Sequence, residues 1–257
     1  METGSTNADV ASSARAGAAE GLVRIAESQR AGRGRLDRIW RAPARSGITM
    51  SVLLRPAVPL TRFGWLPLLA GVAVVQACDQ LTDVDAALKW PNDLLVRQSA
   101  DTGRWGKCGG ILAETVPPVD AMDTAVVVGI GINVTQVAEE LPEPLDPLAY
   151  PPTSLALAGA AADREALTIA VLERVAEWYG RWVAAAGDPV ISGLLEAYRA
   201  ICLTIGRDVT VSLPGAASLT GRASDIDDDG RLVVATPTGP RALAAGDVAH
   251  VRSAITA

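Results

Sequence analysis

The chain is 257 residues long and 49% hydrophobic, and its 23 basic and 29 acidic residues leave a net charge of −6. That length and apolar content support one large domain, or a large and a small one, around a sizeable core, and exclude disorder as the main state. The acidic balance argues against general binding to nucleic acid or to an anionic membrane.

Ser5-Thr6-Asn7, followed by the alanine-rich residues 8–19, predicts an N-cap and a helix that ends near Gly21. Residues 22–29 have the apolar spacing of a strand, 30–45 form a loop with six arginines, and 48–54 return to strand character. Residues 61–81 are apolar at helical length; 86–90, 94–96, 110–116 and 124–132 then predict a run of strands, with Pro91-Asn92-Asp93 as a tight turn. Residues 142–152 carry five prolines and read as a loop, while 163–186 and 193–201 have the spacing of amphipathic helices. After Gly206 the texture changes to short strands at 209–213, 219–226, 232–236, 241–244 and 248–251, which predicts a small β-barrel of SH3-like size. The domains are therefore drawn as 1–205 and 206–257.

The apolar run from Leu66 to Cys78 is broken by Gly71 and Gln76 and falls short of the ~20 residues that span a bilayer. The opening residues lack the basic start and apolar stretch of a signal peptide. Cys78, Cys108 and Cys202 are widely spaced and odd in number, which points to reduced thiols in a cytoplasm. The single histidine, His250, leaves almost nothing for a catalytic triad or a histidine metal site. Only Lys89 and Lys107 are lysines among the basic residues, and Asn7, Asn92 and Asn133 are the only asparagines. If coding bias removes these residue types, the survivors mark places where arginine or aspartate cannot substitute. All five fall in short segments that also carry glycine, proline or serine.

The loop Gln29 to Trp40 combines Gly32 and Gly34 with Arg33, Arg35 and Arg38. Glycines allow close backbone approach and an anion nest of N–H groups. The arginines suit carboxylates and phosphates, and Trp40 offers a flat face for a ring. Taken alone, the loop is equally well a solvated arginine-rich segment or a nucleic-acid contact. Lys89-Trp90-Pro91-Asn92-Asp93 ends a strand in a turn, and Lys107-Cys108-Gly109-Gly110 opens another with a lysine and two residues that lack Cβ. A ligand or a neighbouring backbone could lie against those glycines; a β-bulge with a surface lysine is the plainer alternative. Gly129-Ile130-Gly131-Ile132-Asn133 lacks the third glycine of a dinucleotide fingerprint and reads instead as a strand whose glycines clear space. Its Asn133 amide is expected to bond a base edge.

Together and in this order, Thr3-Gly4-Ser5-Thr6-Asn7, Gly32-Arg33-Gly34-Arg35, Lys89-Trp90-Pro91-Asn92-Asp93, Lys107 to Leu112 and Gly129 to Asn133 resemble the biotin–protein ligase family. The likeness is to the monofunctional type without a DNA-binding domain and covers nearly the whole chain. It implies an α+β fold: a mixed β-sheet flanked by helices, of the class II synthetase-like kind, followed by an SH3-like β-barrel. It implies biotin and ATP as substrates, Mg²⁺ with the nucleotide, and as partner the biotin carboxyl carrier domain of a biotin-dependent carboxylase. By the same resemblance Ser5, Thr6, Asn7 and Gln29 would hold the ureido ring of biotin, helped by the Arg33-Gly34-Arg35 backbone. Lys107 would sit between the biotin carboxylate and the α-phosphate, with Arg33 and Arg35 sharing the catalysis. Trp40 and Asn133 would frame the adenine; Arg35, Arg38, Lys89, Asn92 and Asp93 would surround the phosphates, directly or through Mg²⁺. No metal ligand is assigned.

The sequence departs from the family pattern in two places. Asp37 stands where a small or turn-forming residue is usual, and its charge would oppose phosphate binding. Only four residues precede Ser5, where the family usually has a strand and a helix. The same shortness implies no winged helix and no repressor role. The alternative enzyme is a lipoate or octanoyl ligase of similar core fold, which lacks the Gly-Arg-Gly-Arg loop. A decayed biotin-binding protein and an RNA-binding protein using the arginine loop are the non-enzymatic alternatives.

Overall fold

The structure is a computed structural model that describes residues 1–98, 103–118, 124–144, 149–213, 218–244 and 246–250. The Asp37 side chain, Val251 of the last expected strand and part of the proline-rich segment lie outside the described residues.

Strand β1 (Glu2–Thr3) leads into helix α1 (Thr6–Arg15). Ser5 caps the helix by accepting from Ala8 N at 3.4 Å, as the sequence indicates. The helix stops short of the expected end because Gly17 adopts a φ of 88°, and the backbone turns away there. The stretch expected as one strand then divides into β2 (Val23–Ile25) and β3 (Ser28–Gln29). Strand β3 runs parallel to β1, which tethers the residues before Ser5.

The main sheet contains β2, β4 (Gly47–Leu54), β5 (Ala86–Lys89), β6 (Asp93–Arg97), β7 (Trp105–Val116) and β8 (Ala125–Asn133). Its order is β2-β4-β8-β7-β6-β5, and every neighbouring pair is antiparallel. The parallel contribution comes from β1–β3 and from bridges such as Leu88 to Cys202.

Side chains alternate across a strand, so each strand serves two faces. Ile48, Met50, Val52, Leu94, Val96, Val126, Val128, Ile130 and Ile132 point into one core with α2 (Trp65–Leu81) and α3 (Arg164–Ala184). The segment Leu60–Leu81, a 3-10 turn plus α2, is long and apolar enough to cross a membrane, longer than the run picked out from sequence. Its apolar surface is instead used inside the protein: Trp65, Leu69, Val72 and Val75 are at most 1% exposed. On the opposite face α1 covers one end of the sheet through Val10 and Ala14, packed with Leu53, Val116, Ala125 and Val127. The rest of that face is left to the candidate site.

Helix α4 (Leu194–Ile201) leads into the second sheet, β9 (Asp208–Ser212), β10 (Ser218–Ile226), β11 (Leu232–Thr236), β12 (Gly239–Leu243) and β13 (Asp247–His250). These strands pair antiparallel in the order β12-β11-β10-β9-β13. The inner residues Val209, Val211, Leu232 and Val234 join the same core as the main sheet. Polar contacts reinforce the junction. Trp65 Nε1 donates to Asp228 O at 2.8 Å, and Trp90 Nε1 to Gly230 O at 3.2 Å. His250 is a core residue, with Nε2 3.1 Å from Thr204 Oγ1 and Nδ1 2.9 Å from the Tyr150 hydroxyl.

Candidate active site

Antiparallel register places Thr49, Gly131, Gly110, Asp93 and Lys89 side by side on β4, β8, β7, β6 and β5. Ser51, Gly129 and Leu112 form the next row. A register shift on β7 leaves Cys108 without a partner on β6, so Lys107 and Gly110 both reach the open face. The bulge suggested by the sequence is therefore present, but its lysine is not an idle surface group. Lys107 Nζ lies 2.5 Å from Asp93 Oδ1, and Lys89 Nζ lies 3.4 Å from Asp93 Oδ2. The two lysines of the chain thus converge on one carboxylate whose side chain is 14% exposed. Burial alone would push the Asp93 carboxyl up, but the ammonium groups of Lys107 and Lys89 outweigh it and hold it below the ordinary carboxylate range.

The arginine loop folds over this face as a closed turn. Gly34 N donates to Arg38 O at 2.7 Å, and Trp40 N donates to Gly32 O at 2.9 Å. The Gly34 N–H is thereby spent within the loop rather than offered to an anion, contrary to a nest through that residue. The left-handed position of the turn is Leu36, with φ 54°. Arg35 Nη1 donates to Gly246 O at 3.5 Å, and Arg38 pairs with Asp247. Burial pulls the Arg35 guanidinium below its ordinary value, while Asp247 and Asp93 pull it back. Arg33 and Arg35 line a cavity of about 650 Å³ with Asn92, Leu112, Glu114 and, from the second sheet, Arg231. Lys107 is not part of that wall; it joins the cluster through Asp93, next in sequence to Asn92.

The glycines of β8 are explained by what lies over them. A Cβ at Gly131 would fall 2.6 Å from the Trp40 ring, and one at Gly129 would collide with the Asn7 amide. Trp40 therefore lies against the sheet where the sequence placed a flat face, and its Nε1 is buried with no partner among the described residues.

The asparagines hold structural bonds around the site. Asn133 Nδ2 donates to Thr153 O at 2.9 Å and its Oδ1 accepts from Gln136 Nε2 at 3.1 Å, so both ends of the amide are engaged inside the protein. Asn92 Nδ2 donates to Ile111 O at 3.1 Å. Asn7 Nδ2 donates to Leu112 O at 3.3 Å and to Glu114 at 2.6 Å. In this structure each amide serves as a brace for the backbone around the site.

The start of α1 meets β3 and β4 in a compact polar cluster. Gln29 Oε1 accepts from Thr6 N at 2.7 Å and lies 3.1 Å from Thr6 Oγ1. Ser51 Oγ lies 2.8 Å from Thr6 Oγ1 and 2.5 Å from Asn7 Oδ1, with Ser51 fully buried. Sequence reading did not single out Ser51. The available signal was a hydroxyl in an otherwise largely apolar strand, GITMSVLL.

Both sheets fall within stretches that match known families. The model of the biotin/lipoate A/B protein ligase family matches residues 5–133, and that of the biotin protein ligase C-terminal domain matches residues 204–251. The biotin–[acetyl-CoA-carboxylase] ligase of Mycobacterium tuberculosis is 43% identical, over 98% of this chain and 87% of that protein. The bifunctional ligase/repressor BirA of Bacillus subtilis is 35% identical over 90% of this chain and 66% of its own length. The solved biotin protein ligase of Aquifex aeolicus, in complex with biotin and ATP, superposes with a TM-score of 0.73 at 27% identity, covering 98% of this chain and 97% of that one. The chain belongs to the biotin–protein ligase family.

Proposed function

We propose that the protein is an ATP-dependent ligase that couples biotin to a lysine of a carrier domain in a biotin-dependent carboxylase. The observation that carries this reading is the Lys89–Asp93–Lys107 cluster, beside Arg35, at the edge of a floor made of glycines. Two anions must meet for the reaction to begin. A biotin carboxylate oxygen attacks the α-phosphorus of ATP, the bond to pyrophosphate breaks, and biotinoyl-5′-AMP forms. Fixed cations aimed at the phosphates gain strength as charge moves onto the leaving pyrophosphate, which lowers the barrier. In the second step the carrier lysine amine attacks the acyl carbon, an amide forms, AMP leaves and the amine gives up a proton. A carboxylate is already nucleophilic, so no histidine is needed, and His250 is engaged elsewhere.

In this reading Thr6 and Gln29 take the ureido ring, Lys107 takes the carboxylate and α-phosphate, and Lys89, Arg35 and Arg38 take the remaining phosphate charge. Trp40, lying on Gly131, stacks against the adenine. The residues present do not make a cage for Mg²⁺. No group of three acidic, histidine or cysteine residues converges among those described, and both Asp93 oxygens face lysine ammonium groups. Mg²⁺ would therefore enter on the ATP phosphates as part of the substrate. The buried Cys78, Cys108 and Cys202, all reduced, fit a cytoplasmic setting.

ATP–pyrophosphate exchange with biotin or lipoic acid supplied in turn tests the proposal. Exchange stimulated by biotin alone supports it. Stimulation by lipoic acid, or by neither, overturns it.

A further inference from the structure

Each lysine of the site is held by bonds to a neighbouring segment, and the two segments share one contact. The Lys107 N–H donates to Pro151 O at 2.8 Å, and Lys107 O accepts from Thr153 N at 2.9 Å. The stretch that follows Tyr150 therefore clamps both sides of this residue. Lys89 is clamped in the same way from another segment. Leu88 O accepts from Leu203 N at 2.8 Å, and Trp90 N donates to Thr204 Oγ1 at 3.0 Å. The contact common to both clamps is His250, on strand β13 of the smaller sheet. Its Nε2 lies 3.1 Å from Thr204 Oγ1, and its Nδ1 lies 2.9 Å from the Tyr150 hydroxyl. The Tyr150 and His250 rings also meet edge to face, 5.6 Å apart at 88°. Thr204 is fully buried, and its Oγ1 already accepts from Trp90 N. Its hydroxyl hydrogen needs an acceptor, and Nε2 is within reach. That assigns the ring hydrogen of a neutral imidazole to Nδ1, facing the Tyr150 oxygen.

We propose that His250 is a positioning residue for the first chemical step, bracing the two segments that set Lys89 and Lys107 on Asp93. This rests on the biotin ligase reading above. His250 acts through Thr204 and Tyr150 rather than on substrate. Asp93 stands on β6, and the lysines reach it from the strands on either side, at 3.4 and 2.5 Å. A slide of either clamp moves one ammonium group away from the phosphates it must meet. Such a misplacement, about 1 Å and caused far from the chemistry, can slow a reaction about a hundredfold. The smaller sheet thereby contributes to the chemistry through alignment.

First-turnover formation of biotinoyl-AMP by the full chain, at saturating biotin and ATP, tests this because it reports two quantities. The amplitude counts folded, competent molecules, and the rate constant reports the alignment within each of them. Tyr150→Phe and Thr204→Val each remove one hydroxyl and keep the side-chain shape. Each should keep the amplitude and lower the rate constant at least about tenfold. In His250→Ala both arms are already lost, so adding Tyr150→Phe should change the rate constant less than about twofold. A purely structural role would lower the amplitude and the melting temperature and leave the rate constant as it was. Rate constants within about twofold of the unaltered chain in both single variants overturn the proposal. An unaltered chain that forms no biotinoyl-AMP would instead overturn the parent reading.

Discussion

Replacing Asp93 by asparagine removes the negative charge that Lys107 and Lys89 share, at 2.5 and 3.4 Å. The amide oxygen of Asn can serve one ammonium, but its N–H₂ then faces the other, donor against donor. Breaking one member of a buried ion pair costs about 3–5 kcal/mol. Lys107 retains 32% side-chain exposure and can recruit water, which places the cost at the lower end, about 3 kcal/mol. In a chain of this size each kcal/mol moves the melting temperature by about 2–4 °C, so Asp93→Asn should melt about 6–12 °C lower at pH 7. The pH dependence has a definite sign. A carboxyl held below its ordinary range contributes fully above the unfolded value of about 3.9 and loses that contribution as pH falls through the folded value. The gap between the two proteins should therefore be constant near neutrality and close in acid. Pyrophosphate should narrow it too, because an anion returns between the lysines. Scanning calorimetry with and without pyrophosphate measures both. A gap under about 2 °C at pH 7, or one that widens as pH falls, would refute the argument.

Two alanine substitutions one turn of the pleat apart should separate stability from function. Gly129→Ala drives a methyl into the Asn7 amide, which is locked by Leu112, Glu114 and Ser51 and cannot move; urea denaturation should show a loss of about 3 kcal/mol. Gly131→Ala meets the edge of the Trp40 ring at 2.6 Å, and that ring is the far end of a half-buried side chain, so folding should survive with the ring displaced while ATP binding weakens about ten- to hundredfold. Lys107→Ala should lower biotin-dependent pyrophosphate exchange about a hundredfold or more. A near-normal rate would remove Lys107 from the site.

The sequence revealed these elements unevenly, for physical reasons. Ser5 as a cap, the long apolar helix and the five terminal strands depend on local spacing and turn chemistry, and they emerged with boundaries shifted by a few residues. The scarcity of lysine was informative because both lysines meet one carboxylate. The scarcity of asparagine marked positions that also have a structural use. Asn7, Asn92 and Asn133 hold backbone carbonyls from distant strands and loops, a use that single-chain periodicity cannot distinguish from ligand binding. Ser51 escaped notice because strand β4 is buried on both faces, and its residues give no alternation from which to sort a polar side chain by face. The wall supplied by Asp229, Gly230 and Arg231 depends on how the two sheets pack, which no local pattern encodes.

The tryptophans at 65 and 90 have a further consequence. Each spends its ring N–H on the same tight bend of the smaller sheet, and the backbone N–H of Trp90 is taken by Thr204 at 3.0 Å. Cutting the chain between the two modules would strip both ring donors of their acceptors, one of them in the residue that precedes the Pro91-Asn92-Asp93 turn. The larger fragment would lose the shape of its own catalytic edge, so the enzyme should not survive division into a working half and a dispensable tail.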